Sequence, residues 1–230
     1  MTFFTQLKEQ TDSARQYVLG APIIQDALDG NIVLEQYIAF LSQAFHHVKH
    51  TVPLLMACGA RLDDRHNWLR TAIAEYIEEE IGHEEWILND IRACGADPEV
   101  VRHSQPHITT ELMVAYAYHQ IDRGNPVGFF GMVHVLEGTS IALASAAAAK
   151  IQTSLNLPDT AFSYLTSHGS LDLDHVKFFE SLMNQVTDSE DQAVIVHCAR
   201  RFYHLYGDIF RHLPSREQAL EQLFTGVTHV

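Results

Sequence analysis

Positive charge is scarce in this chain. Lys and Arg number 15 against 29 Asp and Glu, a formal net charge of −14 over 230 residues. Phosphate-backbone binding needs clustered Lys and Arg, so nucleic acid is excluded as a partner. Attraction to an anionic membrane surface is excluded on the same ground. Cys58, Cys94 and Cys198 are the three cysteines; they stand far apart and form no CxxC pair. They give no disulfide framework, and a reducing cytoplasm fits them. No run of about 18 apolar residues exists to span a membrane. The Ala-rich stretch 142–149 is too short and runs into Lys150. Residues 1–10 interrupt their apolar residues with Gln and Lys and have no basic start, unlike a signal peptide.

Several standard motifs are missing too. HExxH fails because His83-Glu84-Glu85-Trp86-Ile87 lacks the second histidine. There is no GxGxxG or GxxxxGK phosphate loop, and no GxSxG hydrolase elbow.

What is present is a globular composition, 47% hydrophobic and 19% charged, with 15 histidines. Helical periodicity dominates, and no strand alternation competes with it. The spacing predicts helices over 2–19, 22–29, 33–58, 65–93, 111–123, 127–153, 159–167, 171–186, 190–213 and 215–224, with a short turn after Asp97-Pro98. Gly20, Gly30, Gly59, Gly95 and Gly124 supply stop signals. Small residues such as Gly131 and Gly138 allow close helix–helix approach in the 127–153 segment. The reading is one all-α domain over residues 1–230, long helices joined by short loops.

Three clusters carry chemistry. Glu80 and His83 form an i, i+3 pair on the 65–93 helix, the Glu-x-x-His spacing of helical di-iron and di-manganese bundles. Glu79 is an alternative first carboxylate, since i, i+4 spacing also brings it to His83. Glu137 is a lone carboxylate in a helix almost uncharged from Val127 to Ala149, where burial without a partner is costly. His168, Asp172 and His175 stand at i, i+4 and i+7, one stripe of a continuing helix that runs on into Phe179 and Leu182. The bland alternative makes His168 a helix-end residue and Asp172 an N-cap. Together the clusters give three carboxylates and three imidazoles. An oxygen and imidazole set without thiolate suits iron or manganese, and two divalent cations can share it.

These residues resemble the haem-oxygenase-like di-iron oxidase and oxygenase family of the TenA/PqqC superfamily. The most specific part is the His-x3-Asp-x2-His string from His168 to His175, preceded in order by Glu80, His83 and Glu137. The resemblance implies a seven-helix haem-oxygenase-like bundle, a homodimer, that binds two Fe(II)/Fe(III) ions, or manganese, through those six residues. It implies use of O2 on a small-molecule substrate, an amino acid or carboxylic acid. N-oxygenation, desaturation or C–C cleavage in specialised biosynthesis is the expected outcome. Haem is not expected, because no histidine precedes His46. Cysteine-based thiamin chemistry is not expected either, because no cysteine lies between Cys94 and Cys198. Two alternatives stay open: a metal-independent PqqC- or TenA-like enzyme on a heteroaromatic, and a non-catalytic helical module of the same fold. His46, His47, His50, His134 and Arg200 are the candidates for lining a substrate pocket.

Overall fold

The computed structural model describes residues 1–225, with the side chains at 140–142, 168–175 and 222–225 outside the described set. Among the described residues there is no strand. The α-helices are α1 (Phe3–Leu19), α2 (Pro22–Asp29), α3 (Leu34–Val48), α4 (Thr51–Arg61), α5 (Asn67–Glu80), α6 (His83–Ala93), α7 (Pro98–His103), α8 (Ile108–Arg123), α9 (Phe130–Leu155), α10 (Ser163–Gln185), α11 (Ser189–Arg211) and α12 (Arg216–Thr225). No single helix among the described residues is long and apolar enough to cross a membrane.

The all-α expectation holds, with three differences that matter for the site. The expected 33–58 helix is broken between α3 and α4 at Lys49 and His50. Pro53 is the reason: its ring lacks an N–H and collides with the carbonyl four residues back, that of Lys49. The expected 65–93 helix is broken at Ile81 and Gly82. Ile81 (φ −62°, ψ 120°) and Gly82 (φ 91°, ψ 0°) form the two central residues of a type II turn. The third difference is the reverse: α10 runs through Gly169 without interruption.

Packing follows from these elements. α1 lies along α11, α9 packs on both α10 and α11, and α3 packs on α6. Two apolar clusters result. One gathers Leu54, Leu55, Tyr76, Phe129, Met132, Phe202 and Tyr206. The other gathers Tyr37, Leu41, Val48, Ile87, Ile91, Phe162 and Tyr164. The start of α5 is fixed by His66, whose Nδ1 lies 2.7 Å from Asp63 and whose Nε2 lies 2.8 Å from Asp191 on α11. Asn125 donates to the other Asp191 oxygen at 2.7 Å.

The two candidate small-residue contacts behave differently. A Cβ on Gly131 would meet the Ala199 nitrogen at 2.6 Å and the Ile195 oxygen at 2.8 Å, so α9 and α11 touch backbone to backbone there. A Cβ on Gly138 would meet nothing closer than the Tyr203 hydroxyl at 3.9 Å. Gly131→Ala is therefore expected to cost roughly 2–3 kcal/mol, a Tm drop of about 5–10 °C, through overpacking. Gly138→Ala is expected to be near neutral. Thermal unfolding of the two variants checks the contrast, and equal Tm values would refute it.

Candidate metal centre and its cavity

The type II turn brings the last residue of α5 against the first of α6. Glu80 Oε2 lies 3.1 Å from His83 Nδ1. The pair therefore forms as expected, but across a turn and not along one helix. His83 is buried and stacks on Trp86, ring centroids 4.0 Å apart. Glu80 is only partly exposed, whereas Glu79 is exposed. The geometry thus favours Glu80 over Glu79 as the inward carboxylate.

Glu80 opens onto a cavity that lies between the two apolar clusters. Its walls come from α3 and α4 (His47, Thr51, Leu54), α5 (Tyr76, Glu80), α9 (Met132, Val133, Glu137), α10 (Tyr164) and α11 (Tyr206). Glu80 and Glu137 thus face one space from different helices. Its described lining holds no lysine or arginine. Tyr76 sits one turn before Glu80 and lies against Glu137. Burial first, then the Glu137 charge, holds its hydroxyl far above the ordinary range, so it stays a proton-bearing donor beside that carboxylate.

Of the expected pocket residues, His47 lines this cavity, its ring edge-on to Tyr206 at 5.8 Å between centroids. The other four point elsewhere. His46 is buried against Ser104, 2.9 Å away, and burial together with Lys49 pushes its pKa down to about 4. His50 approaches Tyr118 at 3.4 Å, and burial lowers its pKa as well. His134 is buried among Phe4, Phe179 and Tyr203, with Thr11 at 3.4 Å. Arg200 is exposed and donates to the Gln10 carbonyl at 2.9 Å. Tyr76, Tyr164 and Tyr206 are the lining residues that motif reading passes over. Tyr76 had a signal in its i, i−4 position relative to Glu80 on one helix face, and Tyr164 stands in the same relation to His168.

The side chains of His168, Asp172 and His175 lie outside the described residues. Among the described residues no group of three or more His, Cys, Asp and Glu is placed to hold a metal ion. The donor chemistry of the described half nevertheless fits iron: carboxylate oxygens from α5 and α9 face one space, and the His83 imidazole lies against one of them, without thiolate.

A second pocket adjoins the first, and Tyr164 and Tyr206 line both. It is apolar, walled by Ile24, Leu28, Phe40, Leu143, Ala147 and Phe210 among others. Its Gln36 is already engaged with the Pro214 carbonyl and the Val33 amide.

The family profile described as iron-containing redox enzyme matches residues 38–207. The chain belongs to that family. The matched span includes every lining residue of the carboxylate cavity. Similarity among solved structures agrees on the fold. A domain of unknown function with a haem-oxygenase-like fold from Shewanella denitrificans is 23% identical, with 98% of this chain and 96% of that one covered and a TM-score of 0.87. A TenA homologue from Pseudomonas syringae pv. tomato is 12% identical, with 95% and 93% covered and a TM-score of 0.77. Haem oxygenase-1 from the cyanobacterium Synechocystis, solved with haem, is 11% identical, with 99% and 100% covered and a TM-score of 0.74. No curated protein matches the chain. The family membership makes the chain an iron-containing redox enzyme with a haem-oxygenase-like all-α fold.

The buried histidines give a pH signature. Burial takes the His134 pKa from 6.5 to about 4, so the folded protein resists the proton that the unfolded chain accepts. Stability from this group is complete above about pH 6.5 and is lost as pH falls toward 4, by as much as about 3 kcal/mol. His46 acts in the same direction. Urea unfolding across this range should show the decline, and His134→Phe should make it shallower. A pH-independent stability between these limits would contradict the assignment.

Proposed function

We propose that the chain is a non-haem di-iron, oxygen-dependent oxidase or oxygenase that acts on a small amino acid or carboxylic acid in specialised biosynthesis. The observation that carries this reading is that Glu80 and Glu137 face one cavity from α5 and α9, with the His83 imidazole 3.1 Å from Glu80. Carboxylate oxygens and imidazole without thiolate are the donors that suit iron or manganese. Glu80, His83, Glu137, His168, Asp172 and His175 are the proposed ligands, for iron or alternatively manganese.

The continuity of α10 supports the second half of this set. Tyr164 faces the cavity. His168, Asp172 and His175 follow it by four, eight and eleven residues, and helical spacing gives all four positions one face. When bound, the iron supplies the redox chemistry with dioxygen. The chain supplies the rest. Tyr76 keeps a proton beside Glu137. His47 brings an imidazole to the cavity wall, where it can contact the substrate. The apolar residues around the cavity keep bulk water from the reacting groups. Beyond Tyr164 and Tyr206, the second pocket favours an acid with an apolar body over a short polar one.

Anaerobic loading with Fe(II) should give about two irons per chain, as in helical bundles with this ligand pattern. Oxygen uptake should then follow on adding a substrate acid. A chain that takes up only stray metal and consumes no oxygen would refute the reading, as would turnover that survives a strong chelator. His175→Ala should lower the iron count by about one. Ala147→Trp, which fills the apolar pocket, should raise KM for acids with a long apolar body about 10-fold or more and leave iron content unchanged. An unaltered KM would remove the pocket from substrate binding.

A further inference from the structure

Asp90 is wholly buried in α6, two turns after His83. No lysine or arginine pairs with it among the described residues. Its carboxylate instead accepts from the Ser163 amide at 2.9 Å, the Tyr164 amide at 2.8 Å and the Ser163 hydroxyl. Ser163 and Tyr164 are the first two residues of α10, and that helix's own flanking residue, Phe162, gives no side-chain cap. A carboxylate from a neighbouring helix thus takes the place of the N-cap, where the positive end of the helix dipole favours it.

This contact does more than terminate a helix. It fixes α10 at the residue, Tyr164, that stands in the wall of the carboxylate cavity. The rotation of a helix is set for all of its positions once it is set at one. The face of α10 that carries Tyr164 is the one assigned above to His168, Asp172 and His175. The other end of the same α6 begins at His83, paired with Glu80. One buried carboxylate therefore joins the helix that starts with one proposed ligand to the helix that carries three.

We infer that Asp90 is a positioning residue for the metal centre: by capping α10 from α6 it sets the phase of the α10 ligand face against Glu80, His83 and Glu137. This rests on the reading that those residues bind metal. It predicts that loss of the cap weakens metal binding out of proportion to the loss of stability.

The test uses anaerobic Co(II) titration of the full metal-free chain, followed by the visible absorption of the bound ion. Asp90→Asn keeps the volume but replaces one of the two acceptor oxygens with an NH2, which cannot accept from the α10 amide that faces it. It should weaken Co(II) binding at least ~10-fold and alter the band, the scale expected when a group that orients ligands is lost. Ser163→Ala removes one of the three bonds and should weaken binding less, with Asp90→Asn and Ser163→Ala ranked in that order. Asp191→Asn is the control: it breaks the His66 contact at the start of α11, lowers Tm, and should leave the Co(II) band and affinity as in the parent. Asp90→Asn with a lowered Tm but the parental affinity and band would overturn the proposal and make Asp90 an ordinary cap. If Asp90→Asn does not fold, Ser163→Ala decides by the same criterion. A parent chain that binds no Co(II) would instead overturn the metal-binding reading, and this inference with it. Parental binding with indifferent variants would overturn this inference alone.

Discussion

Two carboxylates that look into one cavity of an apolar bundle set the terms for the rest of this molecule. Glu80 and Glu137 reach that space from α5 and α9, between two hydrophobic clusters. Each is partly buried, with the His83 imidazole against Glu80 and the Tyr76 hydroxyl against Glu137. Holding these groups on one space from separate helices demands a rigid frame. The frame is visible in the backbone contact of α9 on α11 at Gly131 and in the His66 bridge that anchors the far end of α5. Membership of an iron-containing redox family agrees with a donor set of carboxylate oxygens and imidazole at this cavity.

The general fold was legible because helical periodicity is additive over long segments, and an acidic chain with few cysteines and no apolar span leaves few other classes. The breaks were less legible, because each depends on one residue. Pro53 ends α3 by its clash with the Lys49 carbonyl, although the apolar stripe runs on from Phe45 to Leu55. Gly82 ends α5 by adopting φ 91°. The Glu80–His83 pair was expected from i, i+3 spacing on a helix. It survives the break because a type II turn also brings its first and fourth residues together. The spacing was informative, but for a different local reason.

Histidine was the conspicuous excess in the composition, and most of it says little about the site. His46 and His134 are buried and held neutral, packing as aromatic rings with one polar edge. His66 lies between two carboxylates that join α5 to α11. Only His47 and His83, among the described histidines named as candidates, lie at the cavity or against one of its carboxylates. Residue counts could not separate these roles, because an imidazole on an apolar stripe looks the same in sequence whether it meets a phenylalanine or a ligand. Position relative to a carboxylate separated them better, as with His83.

Gly169 shows how a local rule can yield to a tertiary contact. A glycine inside a helix costs about 1 kcal/mol relative to alanine, and on sequence alone it divided the segment in two. The structure keeps α10 intact from Ser163 to Gln185. A cap of the kind Asp90 supplies is worth about 1 kcal/mol, enough to offset the glycine. Asp90 is 73 residues away in the chain, beyond the reach of any window that reads local pattern. Packing of α10 on α9 adds to the same side. The unbroken helix then places the His168, Asp172 and His175 positions in register with Tyr164, a relation that two separate helices would not have enforced. The residue that governs the proposed site most from a distance is thus one with no motif of its own.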